Sequence, residues 1–102
     1  MKELIAAVRK FHLKHDLKAK GGEEMLHRMN LIMEEVGEIS QCLTKGKPRR
    51  ELIEEHADLL ILLIGNAIAL DFDLEKAFWE KMQRIMRRGS RMVDGTVRVT
   101  ET

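Results

Sequence analysis

Two acidic stretches decide the fold: Glu34-Glu35-Val36-Gly37-Glu38 and, further along the chain, Glu55-His56-Ala57-Asp58. Each stretch contains two carboxylates three positions apart, and on a helix that spacing places both on one face. Like charges at that spacing repel and destabilise an isolated helix. Two such pairs therefore indicate either a compensating cation or two solvated acidic surfaces.

The first stretch lies in a predicted helix from Glu23 to about Lys45. Six apolar residues follow steps of three and four, which is typical of a helix face that packs in a core or at an interface: Met25, Met29, Ile32, Val36, Ile39 and Leu43. At about 100° per residue, Glu35 and Glu38 fall on a second face together with Leu31 and Cys42. These apolar neighbours predict that both carboxylates are partly buried, which favours a bound cation.

The second stretch lies in a predicted helix from Arg49 to Leu70, after a break at Gly46-Lys47-Pro48. Four acids of its first half share one sector: Glu51, Glu54, Glu55 and Asp58. The run from Leu59 to Ile64 is apolar on all sides, which predicts a central, buried helix. Because the connection is short, the two helices are expected to be antiparallel neighbours, with their acidic faces close together.

The remaining elements are predicted from periodicity and turn residues. A first helix is expected from Lys2 to about His15, and a fourth from Leu74 to about Arg88 with Asp73 as its N-cap. Asp94-Gly95 between β-forming residues predicts a hairpin. The predicted fold is all-α: a single domain over residues 1–102, with four helices assembled as a homo-oligomer and a short C-terminal tail or hairpin.

Composition narrows the functional classes. The 102 residues carry a net charge of +1, which argues against a general nucleic-acid or membrane partner. The longest uncharged run, Leu59 to Leu70, is shorter than the ~20 residues of a membrane span. The single cysteine, Cys42, fits a reducing compartment, and the N-terminus has no signal-peptide pattern. We therefore predict a cytoplasmic protein.

The four carboxylates Glu35, Glu38, Glu55 and Asp58 predict an oxygen-lined metal site. Mg²⁺ prefers oxygen ligands and commonly bridges to substrate phosphates, and Mn²⁺ fits similarly. The segment from Lys81 to Arg91 holds five basic residues and no acid, which suits an anionic ligand. The alternative is that the acids form solvated surfaces.

The phrase Glu-Glu-Val-Gly-Glu-Ile followed by Ala-Asp-Leu-Leu resembles the signature of the MazG-like nucleoside triphosphate pyrophosphohydrolases, of the all-α NTP pyrophosphatase superfamily. The resemblance covers roughly residues 11–88. It implies Mg²⁺-dependent hydrolysis between the α- and β-phosphates and a homodimer or dimer of dimers. It carries metal ligation onto Glu35, Glu38, Glu55 and Asp58. Glu34 matches the first acid of the motif, as a supporting carboxylate or a base.

The resemblance also bears on substrate binding. Lys81 and Arg88 match positions of the family, and with Arg84 they are candidate phosphate ligands. Apart from the resemblance, Phe11 and His15 are candidates for a base pocket, with core packing as the alternative for Phe11. The chain departs from the family at two positions: Leu17 stands where many relatives have tryptophan, and Ile85 where many have asparagine. The preferred base is therefore left open.

Two hypotheses follow. In the first, the protein is a house-cleaning enzyme that hydrolyses (deoxy)nucleoside triphosphates, with phosphoribosyl-ATP pyrophosphohydrolase as a close variant. Its general base would be one of three acids: Glu34, Glu51 or Glu54. In the second, the regular apolar face of the second helix makes the protein a non-catalytic oligomerisation or regulatory module.

Overall fold

The computed structural model describes residues 1–101. In that range the chain forms four helices and a two-stranded hairpin: α1 (Lys2–Lys14), α2 (Met25–Thr44), α3 (Arg49–Leu70), α4 (Leu74–Met86), β1 (Ser90–Val93) and β2 (Thr96–Val99). The predicted helices are confirmed, with ends that differ by one or two residues. The chain divides into two compact units at Phe72/Asp73, and each is described by itself. No helix within residues 1–101 is long and apolar enough to span a membrane.

The first unit is built on the α2–α3 pair, and α1 packs against α3. α2 begins after Glu24, whose carboxylate accepts hydrogen bonds from the backbone N–H groups of His27 (2.8 Å) and Leu26 (3.0 Å). These bonds, with His27 first, lower the pKa of Glu24. α3 begins directly after Pro48, which suits the start of a helix. Only residues 45–48 separate the two helices, so α2 and α3 run antiparallel.

The core of the first unit is small. Its buried apolar side chains come from all three helices: Val8, Ile32, Cys42, Ile64 and Ala67. The prediction that the apolar half of α3 is buried on all sides is wrong for the single chain, because Leu60, Ile61 and Leu63 are each more than two-fifths exposed. Neighbouring helices cover one side of α3 and leave the other open.

The apolar face of α2 is divided in the same way. Ile32 is buried, whereas Met29 and Val36 are nearly half exposed and Leu43 is two-thirds exposed. Cys42 is buried, as expected for a small apolar side chain. In the single chain, only part of the apolar surface of α2 and α3 is therefore buried.

The second unit holds α4 and the hairpin. The Asp73 carboxylate caps α4 by accepting from the backbone N–H of Lys76 at 3.0 Å, as predicted. The strands pair antiparallel, with Arg91 opposite Arg98. Asp94 and Gly95 both have positive φ, 50° and 79°, which is the backbone of a type I′ turn. The predicted hairpin is therefore confirmed.

Candidate metal centre

The centre of the site is a convergence of three carboxylates from the α2–α3 pair. Glu35 projects from α2, and Glu55 and Asp58 project from α3. One ligand oxygen of each lies within 4.8 Å of those of the other two. Because α2 and α3 are antiparallel and joined by a short turn, residues at similar distances from that turn lie opposite each other. Within residues 1–101 this is the one group of three or more His, Cys, Asp or Glu side chains that is arranged to hold a metal ion.

Two oxygens of this group have nothing to bind. Glu35 Oε2 and Glu55 Oε2 are buried and have no hydrogen-bond partner in the described part of the chain. A buried polar atom without a partner destabilises the folded state by about 1–3 kcal/mol, and more when it is charged. A divalent cation with oxygen preference would satisfy both atoms and offset their repulsion. The donor set therefore fits Mg²⁺ or Mn²⁺.

Neighbouring carboxyl groups raise the pKa values of both Glu38 and Glu55. The pKa of Glu38 is raised, first by a hydrogen bond with Glu55 and then by the negative charge of Glu55. The pKa of Glu55 is raised as well, first by a hydrogen bond with Glu35. Two carboxyl groups form a hydrogen bond only when one of them keeps a proton, so their proximity favours the protonated form.

The other acids lie around this group. Glu38 is not among the three convergent side chains, although a hydrogen bond with Glu55 raises its pKa. The prediction that Glu38 is partly buried is wrong, because this side chain is exposed. Glu34 and Glu54 are exposed and Glu51 is half-buried. The structure thus brings three of the four predicted metal ligands together and sets the fourth beside them. Nothing in this arrangement selects the base among Glu34, Glu51 and Glu54.

An apolar groove adjoins the acids. It has a volume of about 550 Å³ and lies between α1 and α3; its lining is Leu4, Ala7, Val8, Phe11, Ala57, Asp58, Leu60, Ile61 and Ile64. Asp58 belongs to both the groove and the acidic group. Phe11 is nearly half exposed on the groove wall, and its ring meets that of His15 edge-on with centroids 5.2 Å apart. The two aromatic candidates therefore lie together beside an apolar space that opens at an acid.

The basic candidates lie in the second unit. Lys81, Arg84 and Arg88 are all on or just after α4, where Lys81 and Arg84 are exposed and Arg88 is half-buried. Their contact with phosphates stays a prediction.

Sequence reasoning missed a second buried charge cluster, centred on Arg28. This side chain is 2% exposed. Its Nε donates to Asn66 Oδ1 (2.8 Å), its Nη2 to the Leu62 carbonyl (2.8 Å) and its Nη1 to the Gly22 carbonyl (3.0 Å). Nearby, buried His12 contacts Glu23 through an Nδ1–Oε2 pair at 2.8 Å. The available signal was an asparagine inside the apolar run of α3, which needs a polar partner when it is covered.

Convergent carboxylates on a helix pair, next to an apolar groove, place this protein in the class of helical proteins with a candidate metal-dependent site for a small anionic ligand. The comparison with protein families is more specific. The family model of the MazG nucleotide pyrophosphohydrolase domain matches residues 23–92, well over half of the chain. The chain therefore belongs to the MazG family. No curated protein and no solved structure matches it.

Proposed function

We propose that the protein hydrolyses (deoxy)nucleoside triphosphates to nucleoside monophosphate and pyrophosphate in a Mg²⁺-dependent reaction, as a nucleotide-pool house-cleaning enzyme. The observation that carries the proposal is the pair of buried, unpartnered oxygens of Glu35 and Glu55, in a chain of the MazG family. A solvated acidic surface would have left these atoms in water. A purely structural helix module has no need of them.

In this proposal, Glu35, Glu55 and Asp58 hold the cation, with Glu38 beside them as the fourth ligand. When bound, Mg²⁺ offsets phosphate charge and activates water; Mn²⁺ supplies the same chemistry. The chain's own residues do the rest. The groove next to Asp58 takes the nucleoside, with Phe11 and His15 beside its nucleobase. Lys81, Arg84 and Arg88 of the second unit stay the candidate phosphate ligands. One of three acids near the cluster accepts the proton of the attacking water: Glu34, Glu51 or Glu54.

We further propose that the working form is a homodimer or a homotetramer. Support comes from the apolar surface that one chain leaves open on both central helices, at Met29, Val36 and Leu43 of α2 and at Leu60 and Leu63 of α3. Large apolar patches of this kind mark association surfaces. Sedimentation analysis tests this directly. Wild type should sediment as a dimer or tetramer, and Val36→Lys should shift the protein towards the monomer. A wild type that sediments as a monomer would contradict the proposal.

A substrate panel tests the activity. Purified protein is offered the nucleoside triphosphates, their deoxy forms and phosphoribosyl-ATP with Mg²⁺, and pyrophosphate is measured. Glu38→Ala and Asp58→Ala are run alongside, and Glu3→Ala, an exposed acid in the first turn of α1, is the matched control. We expect activity in wild type and the control and strong loss in the two variants. No pyrophosphate from any substrate, or full activity in both variants, would contradict the proposed enzyme.

A further inference from the structure

The contacts of Arg28 and the acidic group connect the same two helices, α2 and α3. Arg28 precedes Glu35 by seven residues, about two helical turns, so both lie on one face of α2. On the opposing helix, Leu62 follows Glu55 by the same seven residues. Moving from the Arg28–Leu62 contact to the Glu35–Glu55 contact therefore advances both helices by equal steps in opposite directions, as an antiparallel register requires.

The Arg28 contacts are directional and enclosed. Three different guanidinium nitrogens each donate to one acceptor, at Gly22, Leu62 and Asn66. Two of those acceptors belong to α3, one on the backbone and one on a side chain. A planar guanidinium that satisfies fixed acceptors at 2.8–3.0 Å is a rigid connection, unlike an ammonium group on a flexible stem.

Gly65 of α3 supplies the room for this connection. A Cβ atom added there would overlap Arg28 Nη2 and would come within 2.8 Å of His12 Nε2. The guanidinium therefore occupies the space that the side chain of any residue other than glycine would fill at position 65. Sliding α2 along α3 by one turn, about 5.4 Å, would break all contacts to α3 and drive the guanidinium into a side chain.

The acidic group needs such a connection. Without a cation, Glu35 on α2 repels Glu55 and Asp58 on α3, and this repulsion acts to separate or slide the two helices. We propose that Arg28 is a positioning residue: its contacts with α3 fix the register of α2 and thereby hold Glu35 at metal-binding distance from Glu55 and Asp58. This role rests on the proposed function, since it concerns the same metal site.

Metal affinity without nucleotide is the test. Mn²⁺ binding is measured by electron paramagnetic resonance on the full chain for wild type, Arg28→Lys and Gly65→Ala, with circular dichroism to establish folding. Arg28→Lys keeps the charge but cannot satisfy three fixed acceptors. Gly65→Ala keeps Arg28 and removes its space. We expect each to weaken Mn²⁺ binding by about tenfold to a hundredfold, as loss of groups that orient metal ligands does.

The matched control is Cys42→Ala. Cys42 is buried on α2, seven residues after Glu35, and therefore lies as far from it as Arg28 does on the other side. Its replacement leaves every Arg28 contact in place, so Mn²⁺ affinity should stay within about twofold of wild type. In steady-state assays, the Mg²⁺ concentration for half-maximal rate should rise in Arg28→Lys while KM for nucleotide changes little. A merely structural role would not separate these two quantities.

Folded Arg28→Lys and Gly65→Ala that bind Mn²⁺ as tightly as wild type would overturn the positioning role and leave the proposed function standing. If neither variant folds, Asn66→Ala decides, because it removes one of the three acceptors: weaker Mn²⁺ binding supports the role and unchanged binding overturns it. A wild-type protein that binds no Mn²⁺ and releases no pyrophosphate would overturn the proposed function and the positioning role together.

Discussion

The two ends of the α2–α3 pair treat buried charge in opposite ways. At one end the protein surrounds a cation, Arg28, with three acceptors from its own chain. At the other end it brings together the anions Glu35, Glu55 and Asp58 and leaves two of their oxygens without a partner in the described residues. The same two helices carry both clusters, so this difference does not arise from the type of secondary structure.

The difference separates a buried charge that has hydrogen-bond partners in its own chain from carboxylates whose buried oxygens have none among the described residues. Removing a partner from a buried, hydrogen-bonded charge destabilises the fold, whereas like charges brought together without a partner reduce stability and are common at functional sites. The Arg28 cluster is complete in the protein alone. In the proposed function, a cation supplies the partner that the acidic cluster lacks.

The largest expected effect is on activity at the acidic end. Asp58→Asn or Glu55→Gln should reduce pyrophosphate release by about a thousandfold or more, since each removes a charge that holds the cation and a bound cation contributes several kcal/mol to catalysis. The rate is measured at saturating Mg²⁺ and nucleotide. Thermal unfolding without metal serves as the control and should show no loss of stability. If either variant keeps more than a tenth of wild-type activity, the carboxylate that it replaces is not a metal ligand.

The second effect is on stability at the Arg28 end. Arg28→Met should lower the free energy of unfolding by about 2 kcal/mol or more, because it leaves Asn66 Oδ1 and the Gly22 carbonyl without the donor they have in wild type, at about 1–3 kcal/mol each. Urea unfolding measures this change. Glu35→Gln, on the same helix face, is the matched control and should be neutral or stabilising. Equal losses in the two variants would erase the distinction between the two clusters.

The smallest effect is on the pH dependence of stability without metal. The folded-state pKa values of Glu38 and Glu55 are raised above the ordinary carboxyl value of 4.5. The folded protein therefore binds more protons than the unfolded chain between 4.5 and the raised values. The stability that these two groups contribute is fully present below 4.5 and is lost as the pH rises through their raised pKa values.

The measurement is Tm against pH in the presence of a chelator, for wild type and Glu38→Gln. The variant should lose less Tm than wild type as the pH rises through this window. Saturating Mg²⁺ should likewise reduce the fall, because a bound cation offsets the negative charge that the carboxylates gain as the pH rises. Identical pH profiles for wild type and variant would contradict a raised pKa of Glu38 in the folded protein.

Local patterns in the sequence were sufficient to predict most of the fold. Helix ends followed from caps and breaks such as Asp73 and Pro48, and the hairpin followed from Asp94-Gly95, because these signals act through the backbone of a few residues. The convergence of Glu35 with Glu55 and Asp58 followed from helical spacing and a short connection. These features need no knowledge of distant contacts.

Features that depend on neighbours were not predictable in the same way. The exposure of Leu60, Ile61 and Leu63 depends on which helices cover α3. An apolar run in the sequence does not predict which side of a helix its neighbours leave open. The partners of Arg28 are 34 and 38 residues away on α3, at positions that sequence spacing alone does not connect. The exposure of Glu38 depends on how α2 is rotated against α3, which periodicity fixes only approximately.

Mg²⁺ binding by the protein alone tests the central claim most directly. Calorimetric titration of metal-free wild type should show binding, and millimolar Mg²⁺ should raise its Tm. Glu35→Gln and Glu55→Gln should each bind at least about tenfold more weakly, since each variant replaces a charged ligand with a neutral one. A wild-type protein with no heat of binding and no change in Tm would contradict the account of the acidic cluster as a metal centre.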